Sequence, residues 1–169
     1  MKKENNKSIK KSSTVFLQLV IILVGIIVLT LMLVMPHFEG RNTNATLFHI
    51  YFNDPFLAYV YLASVPFFIA LFQGFTLLKH IRRNRVFSQP AVNNLKKIKY
   101  CAFVTAGAIL TAIIYLKVAS LSNNEDSAGP IMLGNIAIFA SIVVGIASAI
   151  FEKTLQSAVD MKSENDLTV

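Results

Sequence analysis

The chain has 169 residues, of which 54% are apolar and only 15% charged, and its mean hydropathy is +0.58. Soluble domains carry about a quarter charged residues, so this composition cannot coat a water-facing surface of ordinary polarity. It is also too apolar for a disordered chain, which leaves a bilayer as the fitting solvent.

The first apolar run covers 15–35, has no charge, and is long enough to cross a hydrocarbon core of about 30 Å. It is too long for the apolar segment of a signal peptide, and no small-residue cleavage site follows it, so it reads as an uncleaved span closed by Pro36. The lysine-bearing tail before it, 1–14, reads as polar and disordered. The second run, 56–78, opens after Asp54-Pro55 and carries Pro66 at its middle, which predicts a kink. Tyr59 and Tyr61 fall toward its outer end, where amphipathic rings favour the interface. The third run is 100–116 and the fourth is 131–151, after Gly129-Pro130. The fold class is therefore all-α, an integral membrane four-helix bundle occupying 15–151, with a tail at 152–169.

The charge of +7, from 16 Lys+Arg against 9 Asp+Glu, would suggest nucleic-acid binding in a soluble protein. Its placement says otherwise. Lys2, Lys3, Lys7, Lys10 and Lys11 precede the first span. Lys79, Arg82, Arg83, Arg85, Lys96, Lys97 and Lys99 join the second and third, and Lys153 and Lys162 follow the fourth. Those three segments hold 14 of the 16 basic residues, while the opposite connectors hold only Arg41 and Lys117. The positive-inside bias then puts both termini and the middle connector in the cytoplasm, and no direct nucleic-acid binding is expected.

Little in the sequence carries chemistry. His37, His49, Glu39 and Asp54 share one outer connector, but the histidines lack helical i,i+4 spacing, so surface histidines are the better reading than a metal site. No nucleophile motif, phosphate loop or dinucleotide fingerprint occurs. We expect no enzyme, no cofactor and no metal. Cys101, the single cysteine, reads as a buried thiol. The polar residues within the spans (Gln18, Gln73, Thr105, Thr111 and Asn135) read as helix–helix hydrogen-bonding groups. No intramembrane acid marks a proton-coupled transporter, which leaves transport the weaker reading. Ala137, Ser141, Gly145 and Ala149 form a row of small residues on the fourth span, and Gly107, Ala108 and Ala112 offer a counterpart on the third. Such rows let backbones approach, within this bundle or in a homo-oligomer.

The middle connector is the most informative segment. Ser88 predicts a helix N-cap, Pro90 suits the first turn, and Phe87 with Val92 forms a candidate hydrophobic staple. Ala91, Leu95, Ile98 and Ala102 then fall on one helical stripe. The candidate lipid- or partner-binding residues are Arg82, Arg83, Arg85, Phe87, Ser88, Leu95, Lys96 and Lys97, together with Glu164, Asn165, Asp166 and Leu167 at the C-terminus. The helix after the fourth span is expected to reach about Lys162 and then give way to an extended, acidic end.

The segment Arg85-Val86-Phe87-Ser88, followed by Asn93-Asn94-Leu95-Lys96-Lys97-Ile98-Lys99-Tyr100, and the closing Glu164-Asn165-Asp166-Leu167-Thr168-Val169 resemble the inner connector and terminus of a bacterial membrane family. That family is catalogued as domain of unknown function 2975. Lys99 departs from the glycine common there. The resemblance implies a multi-pass plasma-membrane protein, often encoded beside a small helix-turn-helix regulator. A partner of that kind, tethered or antagonised at the membrane, is the expectation it raises. The alternative is a membrane protein for envelope stress or antimicrobial-peptide immunity, working through the outer connectors.

Overall fold

The computed structural model describes residues 2–38, 55–83, 85–123 and 128–167. Four helices account for nearly all of them: α1 (Lys2–Phe38), α2 (Pro55–Arg82), α3 (Gln89–Asn123) and α4 (Ala128–Leu167). Each contains a stretch long and apolar enough to cross a membrane. There is no strand among the described residues.

Consecutive helices run antiparallel. Gln18 donates to the Phe75 carbonyl at 3.5 Å while Tyr61 reaches the Met32 carbonyl at 3.0 Å, which fixes α1 against α2. Tyr59 donates to the Ala108 carbonyl at 2.8 Å, and the Phe56 and Tyr115 rings stack at 5.2 Å, which fixes α2 against α3. Lys99 meets Glu152, and Gln89 meets Gln156, which fixes α3 against α4. The most extensive packing is α3 on α4, and α3 is also the main neighbour of α2. Among the described residues every buried apolar side chain, from Ala91 through Leu95, Ile98, Ala102 and Ala106 to Ile113, lies on this central helix.

The packing faces follow a three-four alternation. On α1 the inward positions are Thr14, Gln18, Ile21, Gly25, Val28 and Met32, with exposed Val, Leu and Ile on the other faces. On α4, Gly134, Ser141, Gly145, Ser148 and Glu152 turn inward among the rest. Such spacing keeps one seam facing its partner, as in left-handed helix pairs. The expected row Ala137, Ser141, Gly145, Ala149 is half-buried to buried, yet a strict four-residue step drifts by about 40° per repeat and leaves the seam. The close approaches are at Gly145 and Gly134. A Cβ on Gly145 would lie 3.0 Å from the Phe103 ring, and one on Gly134 would lie 2.8 Å from Ile113 Cδ1. Gly107 faces open space and takes no part in this contact, contrary to its expected pairing role.

Three helix ends differ from expectation. The polar tail at 2–14 is helical, because an apolar span already supplies the nucleus and each added residue gains a hydrogen bond. Pro36 does not close α1, which runs on to Phe38. Its missing N–H leaves the Met32 carbonyl without its usual donor, and the Tyr61 hydroxyl fills that vacancy. Replacing Tyr61 by phenylalanine is expected to lower stability by about 1 kcal/mol in detergent unfolding, since the carbonyl would then lack both donors. Helix α4 continues to Leu167, so Glu164, Asn165, Asp166 and Leu167 are helical rather than extended. Propagation from a long preformed helix again outweighs the weak local preferences of an acidic end.

Tyr59 and Tyr61 direct their hydroxyls to carbonyls of neighbouring helices. The polar span residues behave unequally. Gln18 reaches across to α2. Thr111 bonds back to the Gly107 carbonyl of its own turn at 3.0 Å, and Asn135 is exposed. Thr105 is buried, and its hydroxyl finds no partner among the described residues. Valine keeps the shape of threonine without the orphaned hydroxyl. Thr105→Val is therefore expected to raise stability by about 1 kcal/mol in a detergent unfolding titration of unliganded protein.

Candidate functional site at the basic end of the bundle

A helix of 35 residues is about 52 Å long, and one of 40 is about 60 Å, so α3 and α4 both outrun a hydrocarbon core of about 30 Å. Their excess length falls together, at the N-terminus of α3 and the C-terminus of α4. The C-terminal turn of α2 ends there too, with Lys79, His80 and Arg82 in it. Cations at a helix C-terminus complement the partial negative charge of its last carbonyls.

Between α2 and α3 the chain is held by short-range bonds. The Arg85 N–H donates to the His80 carbonyl at 3.0 Å, and the Ser88 N–H to the Val86 carbonyl at 2.9 Å. Ser88 occupies the expected capping position, and its carbonyl accepts from the Ala91 and Val92 N–H groups. Its hydroxyl, however, donates back to the Arg85 carbonyl at 2.7 Å. The connector is thereby tied to α3 through one residue.

The expected staple is replaced by a different contact. Val92 is buried, but Phe87 is 60% exposed. Phe87 instead lines a groove of about 500 Å³ with Arg85 and Ser88 on one side and Ala158, Met161 and Lys162 of α4 on the other. The groove thus combines an apolar ring and a thioether chain with a guanidinium and an ammonium. Met adapts its shape to what it packs against, which suits a surface that takes a helix or lipid chain.

The groove rests on a paired base. Lys99 and Glu152 form an ion pair at 2.6 Å, with side chains 21% and 17% exposed. Gln89 donates to the Gln156 side-chain oxygen at 3.1 Å, and Gln156 in turn donates to Asp160 at 2.7 Å. Sequence reasoning missed this pairing. Lys99 and Glu152 are 53 residues apart, and the only signal was the lysine standing where glycine is common in the resembled family.

Of the twelve candidate residues, Arg85, Phe87 and Ser88 come together in the groove. Arg82, Arg83, Lys96 and Lys97 are exposed nearby in sequence but do not line it. Leu95 is a core residue, 7% exposed, and is unavailable to a partner. It shares the buried stripe of Ala91, Ile98 and Ala102, as the helical spacing predicts. Glu164 and Asn165 are exposed on the last turns of α4, which also carry Asp166 and Leu167. Sequence reasoning missed Ala158, Met161 and Lys162 as the facing wall. His49, Glu39 and Asp54 lie outside the described residues, and His37 is described by its backbone alone. No cluster of three metal-ligating side chains occurs among the described residues.

Four long apolar helices with a charged end of this kind define a multi-pass membrane protein. Residues 41–169 match the family described as protein of unknown function (DUF2975), and the chain belongs to it. It is similar to the uncharacterized membrane protein YoaS of Bacillus subtilis (strain 168), with 38% identity over 164 residues, covering 94% of this chain and 99% of the relative. No solved structure matches.

Proposed function

We propose that the protein tethers or antagonises a small helix-turn-helix transcription regulator at the plasma membrane, docking it in the groove of Arg85, Phe87, Ser88, Ala158, Met161 and Lys162. The observation that carries this reading is the groove's composition: apolar side chains together with two cations, between the basic connector and the projecting end of α4. That chemistry fits an amphipathic partner helix with acidic flanks. The concentration of basic residues at this end supports a cytoplasmic location, with both termini inside. The role is one of binding and not of catalysis.

The test is recovery of the regulator from membranes with the chain truncated after Val159, which removes Met161, Lys162 and the last turns of α4. Recovery should fall to background, and it should fall comparably for Phe87→Asp in the full chain. Unchanged recovery with the truncation would sink the role of the tail. Orientation has its own check. Alkaline phosphatase, active only outside the cytoplasm, is expected to be silent when fused after Val169 and active when fused within 124–127.

A further inference from the structure

A second groove lies between α3 and α4 at the end opposite the basic one. It measures about 770 Å³, and its lining includes Lys117 and Leu121 of α3 with Ile131, Met132, Asn135 and Ile136 of α4. The walls are mostly apolar, and Leu121, Met132 and Ile136 are exposed. Two polar side chains interrupt them. Lys117 is the one Lys or Arg among the described residues of this end, and Asn135 carries an amide. Both are exposed, and neither has a hydrogen-bond or ion-pair partner among the described residues.

Their depths follow from helix geometry. Lys117 follows Lys99 by 18 residues on one helix, about 27 Å, close to the thickness of a hydrocarbon core. Lys99 with Glu152 marks one face of that core, so Lys117 marks the other, at headgroup level. The pairing of Lys99 with Glu152 and the close approaches of Phe103 to Gly145 and Ile113 to Gly134 set the register of α3 on α4. That register puts Lys117 level with Pro130 and Ile131, and Asn135 about 7 Å deeper, just inside the core. Lipid tails offer an amide at that depth nothing to bond. The polar atoms within its reach are the ester carbonyls of glycerolipids. In a phospholipid those esters hang one glycerol unit below a phosphate, as Asn135 lies below Lys117.

We propose that this groove holds one diacyl glycerophospholipid of the adjoining leaflet. The Lys117 ammonium donates to its phosphate, the Asn135 amide donates to an ester carbonyl, and an acyl chain lies along Met132 and Ile136. Charge complementarity selects this occupant: an apolar groove alone would take any lipid chain, whereas an uncompensated ammonium one step above an amide fits a phosphate above an ester. This inference stands apart from the docking groove at the basic end and survives its failure.

The probe is diacyl phosphatidylglycerol with a diazirine near the carboxyl end of one chain. It is photo-crosslinked to the full chain in an uncharged maltoside detergent, and the adducts are mapped by mass spectrometry. Adducts are expected on 117–121 and 131–136. Unlabelled phosphatidylglycerol should displace them about tenfold better than diacylglycerol, which lacks the phosphate, the margin that one hydrogen bond to a charged group gives. It should displace them about threefold better than its ether-linked analogue, the margin of a neutral hydrogen bond. Lys117→Gln should erase the first margin and Lys117→Arg should keep it, while Asn135→Leu should erase only the second. Both side chains are exposed, so these variants leave the helix packing intact. Equal displacement by phosphatidylglycerol and diacylglycerol in the wild-type protein, or margins unchanged by Lys117→Gln and Asn135→Leu, would overturn the proposal.

Discussion

Gly145→Leu is expected to destabilise the protein by about 3 kcal/mol, the upper end of the cost of overpacking a formed core. The reason is local. A Cβ alone at this position lies 3.0 to 3.2 Å from three atoms of the Phe103 ring, and a whole leucine side chain needs far more room than that contact leaves. Gly145 is buried on the α4 seam, so a leucine has no outward rotamer that escapes α3. Either the half-exposed Phe103 ring is driven out of its contact or the two helices move apart, and both weaken the most extensive packing in the protein. Phe103→Ala should recover most of the loss in the double mutant, giving a strong coupling between two sites 42 residues apart. Gly134→Ala should cost less, because its nearest neighbour is the end of the Ile113 side chain, a more movable group. Unfolding in detergent mixtures, followed by far-ultraviolet circular dichroism, reads all four variants. A Gly145→Leu protein as stable as the wild type would refute the α3–α4 register.

Glu152→Lys should be the most damaging single charge change at the basic end. It places a second ammonium beside Lys99, at side chains only about a fifth exposed, in a region already rich in cations. Removing one partner from a largely enclosed pair leaves the other charge without compensation, which costs more than the pair itself contributes. The exchanged pair, Lys99→Glu with Glu152→Lys, should restore much of the lost thermal stability and folded yield. Glu152→Gln should fall between, because an amide can still accept a hydrogen bond from the ammonium. Failure of the exchanged pair to improve on Glu152→Lys would show that the two side chains are not coupled. The groove sits beyond this pair, between the connector that leads into α3 and the end of α4, so regulator recovery should follow the same order of variants.

The span positions were legible because each apolar run is long enough to cross a bilayer and nearly free of charge, a signal that needs no tertiary information. The buried stripe of α3 was legible for the same reason, since Ala91, Leu95, Ile98 and Ala102 share a face through helix geometry alone. Helix ends were read less well. Polar termini look irregular by local preference, yet they stay helical once a long span has paid the nucleation cost. At Pro36 the missing donor was visible, but the hydroxyl that replaces it comes from Tyr61 on another helix.

The candidate site was half legible. Arg85, Phe87 and Ser88 stood out by their turn chemistry and charge, but their facing wall comes from residues about 70 positions later. Leu95 was misplaced for a related reason: a residue can belong to a notable segment while its side chain turns into the core. Thr105 shows the limit most clearly. Its sequence context resembles that of Thr111, yet Thr111 bonds back to its own turn while the Thr105 hydroxyl has no partner among the described residues.

By itself, then, the sequence determined that this is a four-span membrane protein and where its charges concentrate, because hydropathy and charge are properties of contiguous residues. The tertiary structure decided the register of α3 on α4, the Lys99–Glu152 pair and the groove. Inside a bilayer the hydrophobic effect does not choose between helix faces, because lipid is as apolar as leucine. The choice falls to close packing at glycine and to single hydrogen bonds, and those depend on residues that meet only in the folded chain.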